Sequence, residues 1–383
     1  MVYDFSFVSP QLRNIIEPAT LHSHKMDRTL GCRVFKNAIV APYIDWDKSV
    51  GCVIDESGKV VKESEYYEWR ESESFYKMGS HYCEHKKAIF IGFILTVFGH
   101  TFTDNFRKLW FLNTSECARL LNGGAVLVYT TNYNQTLPAI AFQMCELAGY
   151  DIMQALHITE LTQFDEVYIP DNCFTASNFG RLYNNAYVDI INRIKSNVPS
   201  GKVLGDKIYF SRTKFSGVSK REYGEKALER VFKKKGYTII YPEDYSIIEQ
   251  IQMVRQCRSF ASTEGSVAHL SLFCKSGTHV TIINKANYLN CHQVTINEIA
   301  DLNVTYVEAH HSIKAEKEHP WWGPFYLCVN KYLEHYVGHR VVHLPYWLRP
   351  SYWAYSRCIL YRCYNRIRKW YNNVKIIRYN HLA

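Results

Sequence analysis

Residues 207–284 read KIYFSRTKFSGVSKREYGEKALERVFKKKGYTIIYPEDYSIIEQIQMVRQCRSFASTEGSVAHLSLFCKSGTHVTIIN, and this stretch decides the fold. KIYFS (207–211) is a short run of branched and aromatic side chains, the pattern of a buried strand. Glu222 to Lys235 has helical apolar spacing, and Gly236 stands where a C-cap glycine belongs, just before the next strand, TIIYP. Ser246 to Cys257 predicts another helix, SFAST a third strand, the residues from Ser266 a further helix, and HVTIIN a fourth strand. Strands and helices that alternate in this way build a parallel sheet covered by helices.

Working outward, the first half repeats the theme less clearly. From Gly123 the order is a strand (AVLVYT), a helix (Leu137 to Ala148), a short segment with His157 and a strand (FDEVYIP), which predicts a first Rossmann-like unit. Before it, residues 31–62 predict a β-hairpin element turning at Asp55 to Gly58, and His100 to Leu112 has helical spacing. After it, a polar stretch and a helix lead to Pro199, Ser200 and Gly201, a plausible linker. The predicted division is residues 1–198, residues 199–320, and a helical tail over 321–383.

Composition bounds the function. The 383 residues are 47% hydrophobic and 15% aromatic, enough to give both units a core. The most apolar stretch, Ala88 to Phe98, is too short to span a bilayer. The first residues lack the basic, apolar and small-residue order of a secretory signal, and 12 cysteines show no C-x-x-C pair. Both features lead to the expectation of reduced thiols and a cytoplasmic protein. The net charge of +9 gathers between Arg340 and Arg378, interleaved with Trp, Tyr, Ile and Leu. Such a tail can lie at a membrane surface with its arginines on anionic lipids, or close as a helix across the two units.

Ligands of open α/β sheets bind outside the carboxyl ends of the strands. Ser211 and Arg212 follow the first strand of the second unit, where a guanidinium could grip a diphosphate. Glu264, Gly265 and Ser266 follow the third strand, where glycine lets an anion approach backbone N–H groups and Glu264 could reach a ribose hydroxyl or serve a cap. Glu243 and Ser246, with Gln250, lie on the same edge, although Ser246 also fits a helix N-cap. In the first half His100 and Asp104 stand one turn apart and make the best acid/base pair, the Asp104 carboxylate taking a hydroxyl proton with or without His100, or orienting the imidazole, with Arg107 on the next turn. Plainer readings stand beside these: a surface arginine in a loop, and a polar pair satisfying a helix start. His81, Cys83 and His85 have poor spacing for zinc, and His310-His311 has as little support, so no metal is expected. The phosphate-loop, dinucleotide and nucleophile-elbow motifs are all missing, which counts against kinases, dinucleotide oxidoreductases and α/β-hydrolases.

With these residues in view, the chain resembles glycosyltransferase family 61. The second half carries the ordered run KIYFSRT, REYGEKALERVFKKKGYTIIYPED and SIIEQIQMVRQCRSFASTEGSVAHLSLF, and in the first half FKNAIVAP, GCVIDESGKVV and FGHTFTDNFRKLW look like the family's opening strands and Gly-His-x-x-x-Asp segment. The resemblance runs from about Val34 to Asn284. It implies a GT-B fold, α/β with two Rossmann-like domains facing a cleft, the first for the acceptor and the second for a nucleotide sugar. It also implies inversion at the anomeric carbon and no obligatory metal, with Arg212, Arg221, Gly265 and Ser266 toward the donor diphosphate and His100 and Asp104 toward the acceptor.

The expected activity is therefore inverting transfer of a hexosyl or pentosyl group from a nucleotide sugar, a UDP-sugar first, to a glycan hydroxyl in capsular polysaccharide or lipopolysaccharide synthesis. No cofactor beyond the nucleotide-sugar co-substrate is expected. The acceptor would be a glycan or lipid-linked glycan, the setting the inner face of a bacterial membrane touched through residues 345–378, and no nucleic acid is expected. Two other classes stay open: a sugar-nucleotide or glycan-binding protein without catalysis, and a nucleic-acid-binding protein using its basic tail.

Overall fold

The computed structural model describes residues 1–45, 50–66, 82–177, 180–201, 204–215, 222–312 and 323–380. The first half runs through β1 (Val2–Phe7), α1 (Pro10–Thr20), β2 (Cys32–Asp45), β3 (Val50–Ile54), β4 (Tyr82–Ile94), α2 (Ser115–Asn122), β5 (Val126–Thr131), α3 (Ala139–Leu147), β6 (Leu156–His157), β7 (Thr162–Pro170), β8 (Phe174–Ser177), β9 (Gly180–Tyr183) and α4 (Asn185–Asn197). The second half continues with β10 (Lys207–Phe210), β11 (Glu222–Tyr223), α5 (Glu225–Lys234), β12 (Thr238–Ile240), α6 (Ile247–Gln256), β13 (Ser259–Thr263), β14 (His279–Asn284), α7 (Cys291–Ile299), β15 (Asn303–Glu308), β16 (Phe325–Tyr326), α8 (Lys331–Val337) and α9 (Pro350–Asn380).

Two six-stranded sheets carry this α/β chain. The second has the order β1-β15-β14-β13-β10-β12, and its strands pair in parallel throughout. Its interior strands are apolar on both faces, as a sheet covered twice requires: Ile208, Tyr209 and Phe210 of β10 are all buried. After β10 the chain steps outward to β12 and then returns to the other side of β10 as β13. This reversal of strand order leaves a crevice beyond the carboxyl ends of β10 and β13, where open α/β sheets hold their ligands.

The first sheet has the order β3-β2-β7-β4-β5-β6, with β7, β4, β5 and β6 parallel and β2 antiparallel to both β7 and β3. The hairpin predicted as an appended element is instead part of this sheet. Its long strand β2 pairs with β7 from Cys32–Pro170 to Val40–Thr162, because Ala38, Val40 and Val53 have a buried face to cover. β1 pairs with β15, so Val2–Phe7 belongs to the second sheet and not with the rest of the predicted residues 1–198. No local pattern announces this, since the pairing joins segments some 300 residues apart.

The halves meet through a shared core. Phe102 and Phe106 of the first pack in one apolar cluster with Phe260 and Phe273 of the second, and the rings of Phe102 and Phe273 lie 6.0 Å apart. Two predicted α-helices are absent from this seam. His100 to Leu112 forms three short 3-10 turns, Phe98–Thr101, Asp104–Phe106 and Leu109–Asn113. The residues after Ser266 form a 3-10 turn, Ala268–Phe273. All six residues of that last turn are buried, so it has no polar face to give it helical spacing.

A candidate active site where the two halves meet

The two halves approach closely at Gly99. A Cβ there would lie 2.6 Å from Ser266 Oγ and 3.3 Å from His269 Nδ1, so only a glycine lets the first half approach the turn that follows β13. The next residue is His100, and four further on is Asp104. Although both stand in 3-10 turns, His100 Nδ1 reaches Asp104 Oδ2 at 2.5 Å. His292 Nε2, on α7 of the second half, reaches the same oxygen at 2.9 Å, and Thr103 Oγ1 donates to it at 3.1 Å.

Asp104 is 1% exposed and sits beside two guanidinium groups, Arg107 at 3.5 Å and Arg181 of β9 at 3.6 Å. Burial would raise its pKa, but Arg181, His292 and His100 outweigh burial and hold the carboxyl well below its ordinary range. A carboxylate so stabilised and so enclosed is a poor proton acceptor. It is well placed to orient His100, whose side chain keeps 26% of its surface exposed. With Nδ1–H donated to Asp104, His100 Nε2 carries a free lone pair. Burial, aided by Arg181, lowers the pKa of His292 to about 4, and burial with His292 lowers that of His269 to about 3. His292 Nε2 also lies 3.0 Å from Arg181 Nε. It can donate to Asp104 or accept from Arg181, but a single nitrogen cannot do both.

The second cluster lies at the strand ends of the second sheet. Arg212 donates from a guanidinium N–H to Glu222 Oε1 at 2.7 Å, and Lys285 Nζ donates to the same oxygen at 2.7 Å. Gly265 has φ +125°, and a Cβ on it would meet Lys285 Nζ at 3.3 Å. The fold thus brings together Arg212 after β10, Gly265 after β13 and Lys285 after β14. Beside this pair of cations on Glu222, the Glu225 carboxyl accepts from the backbone N–H of Arg212. Ser266 continues the same turn to Gly99, and so joins the two clusters.

Other expected donor contacts have structural work. Ser211 is buried and donates to Glu229 at 2.7 Å, which pins the loop and leaves no hydroxyl for a ligand. Ser246 caps α6 in a reciprocal pair with Glu249, and Glu243 is exposed in the preceding turn. Gln250 Nε2 donates to the carbonyls of Pro242 and Tyr245. Glu264 is 2% exposed and accepts from Asn284 Nδ2 and the backbone N–H of Asn290, at the start of α7. Burial pushes its pKa up to about 8, against the pull of Lys285, so the carboxyl is protonated at neutral pH. The helix dipole expected after Gly265 is lost with the α-helix itself, because a short 3-10 turn stands there. Arg221, His81 and the side chain of His85 lie outside the described residues.

Among the described residues, His100, Asp104 and His292 are near enough to one another to share a metal ion. A dication there would face Arg107 and Arg181 within a buried site, a repulsion that Asp104 alone does not offset. Sequence reading missed His292, Arg181 and Lys285. The last was within reach, since Lys285 ends HVTIINK by the same strand-end rule that selected Arg212. His292 and Arg181 stand 188 and 77 residues from Asp104 and carry no local signature.

Two α/β halves thus meet at a buried histidine–carboxylate cluster, with Arg212 and Lys285 at the strand ends of the second sheet. A sequence model of the family described as Glycosyltransferase 61 matches residues 98–281, a span that opens two residues before His100 and closes inside β14. The match supports that family, and with it glycosyltransferase activity. No curated protein matches the chain.

Proposed function

We propose that the protein is an inverting, metal-independent glycosyltransferase of GT-B type that uses a nucleoside diphosphate sugar, with UDP-sugars first among the candidates. An acceptor hydroxyl loses its proton to His100 Nε2 while its oxygen bonds to the anomeric carbon. The bond from that carbon to the diphosphate breaks, and Arg212 and Lys285 receive the departing charge. A single displacement of this kind inverts the anomeric centre. Asp104 holds the His100 tautomer and stabilises the imidazolium as it forms. The acceptor is a glycan hydroxyl, and capsule or lipopolysaccharide synthesis is the first setting to examine.

The contact of Gly99 with Ser266 carries this reading. Gly99 precedes the half-buried His100, and Ser266 follows Gly265, whose turn neighbours Lys285, so the contact supports a site shared by the two halves. Metal independence draws support from the two guanidinium groups around Asp104 and from Arg212 and Lys285, which supply the charge a divalent ion would otherwise bring. The test is thermal stabilisation by UDP and by a panel of UDP- and GDP-sugars, with and without EDTA. The reading requires stabilisation by a nucleotide or nucleotide sugar that survives EDTA and is lost in Arg212→Ala and Lys285→Ala. A chain that no nucleotide or nucleotide sugar stabilises refutes it.

A further inference from the structure

We propose that α9 and the segment leading into it form a docking surface for anionic lipid bilayers. The reasoning is independent of the transfer chemistry. From Val341 to Ala383 the chain carries eight Arg and Lys residues and no Asp or Glu, against a net charge of +9 for the whole protein. Nearly all the surplus charge is therefore in the last 43 residues.

One face of α9 is fixed to the protein. Tyr355 is buried with Tyr326 and Cys328, and Tyr352 and Ile359 pack against the same cluster. Arg362 donates to the carbonyl of Gly323. Among the described residues the other face has no such cover. Trp353, Leu360, Tyr364 and Ile367 follow one another at intervals of seven, four and three residues, which puts them on one side of the helix, and they are 58–68% exposed. Trp347, Leu348, Leu344 and Val342 extend the exposed apolar surface before the helix begins. Soluble monomers rarely leave so continuous an apolar stripe in water.

Arg357 and Arg368 flank the stripe, so an apolar band runs beside a basic one. The basic surface continues past the root of the helix. A cavity of about 710 Å³ there is lined by Val341 and Leu344, by Arg349, and by Lys226, Arg230 and Lys234 at successive turns of α5, with Glu222 and Glu225 at its edge toward β11.

An anionic bilayer satisfies both bands at once: Leu, Ile, Trp and Tyr enter the headgroup boundary, and the arginines meet lipid phosphates. A second copy would suit the three-and-four spacing, but it would set two helices of like charge together with no acid on either to pair them. A nucleic acid would take the arginines and leave Leu360 and Ile367 in water. No helix among the described residues is long and apolar enough to cross a membrane, so α9 lies along the surface.

The full chain is tested by sedimentation with phosphatidylcholine vesicles, with and without about a third phosphatidylserine. The proposal requires binding only to the anionic vesicles and weakening by salt. The variants Leu360→Ser/Ile367→Ser and Arg357→Gln/Arg368→Gln should each weaken binding roughly tenfold or more. Because these side chains are exposed, both variants should keep the wild-type circular dichroism and melting temperature. Equal recovery with and without vesicles overturns the proposal. So does a lipid-free dimer in sedimentation velocity that Leu360→Ser/Ile367→Ser dissolves, or oligonucleotide binding that competes with vesicles and ignores the apolar variant.

Discussion

Replacing Asp104 by asparagine keeps the shape of the side chain and removes the charge around which both halves are arranged. The carboxylate contacts His100 at 2.5 Å, His292 at 2.9 Å, Arg107 at 3.5 Å and Arg181 at 3.6 Å. At an effective dielectric of about 20, each guanidinium contact is worth roughly 5 kcal/mol of Coulomb energy before desolvation is charged against it. Removing one partner of a buried ionic cluster costs about 3–5 kcal/mol net, since the cations left behind keep their burial without their counter-charge. Asp104→Asn should therefore lose about 3–5 kcal/mol in urea unfolding at pH 7. The folded pKa of Asp104 lies below the unfolded one, so its contribution is present above the ordinary carboxylate range and disappears as pH falls through the folded value. The gap between wild type and variant should close at strongly acid pH. Turnover should drop by roughly 10²–10⁴, because an asparagine amide cannot hold the His100 tautomer as a carboxylate does. A variant within about 1 kcal/mol of wild type at pH 7, with undiminished turnover, would refute this reasoning.

Other positions make separate predictions. Gly99→Ala inserts a Cβ 2.6 Å from Ser266 Oγ and should cost about 1–3 kcal/mol with loss of transfer, while Ser266→Gly in the same chain should restore much of both. Arg212→Ala and Lys285→Ala should each lower turnover about 10²–10³-fold, and Arg212→Lys should recover only part of it. Glu264 has a folded pKa of about 8 against an ordinary value of 4.5, so its contribution is full below 4.5 and is lost as pH rises through 8. Melting curves of Glu264→Gln should accordingly be flatter than wild type between those limits. His292 is lowered from 6.5 to about 4, so wild-type stability should decline as pH falls across that interval, and His292→Gln should reduce the slope.

Four strands of the second sheet, β10, β12, β13 and β14, were legible because each stretch carried its own signal: apolar strands, the capping glycine at 236, and Ser246 before a helix. His100 and Asp104 were legible as a pair from their spacing, although they meet from two separate 3-10 turns and not on one face of an α-helix. What escaped is non-local. β1 joins β15 across nearly the whole chain, Arg181 reaches Asp104 from β9 of the same half, and His292 reaches it from α7 of the other. The Ser266 to Phe273 segment escaped for another reason, since a fully buried turn shows no periodicity.

The central claim is transfer by the His100 face onto an acceptor from a donor held at the strand ends of the second sheet. It is tested most directly by incubating the full chain with a nucleotide-sugar panel and glycan acceptors in EDTA, and reading product by mass spectrometry and its anomeric configuration by NMR. The account predicts an inverted glycoside from at least one donor, with turnover lost in His100→Ala while that donor still stabilises the variant. A product of retained configuration, or turnover unchanged in His100→Ala, would contradict it.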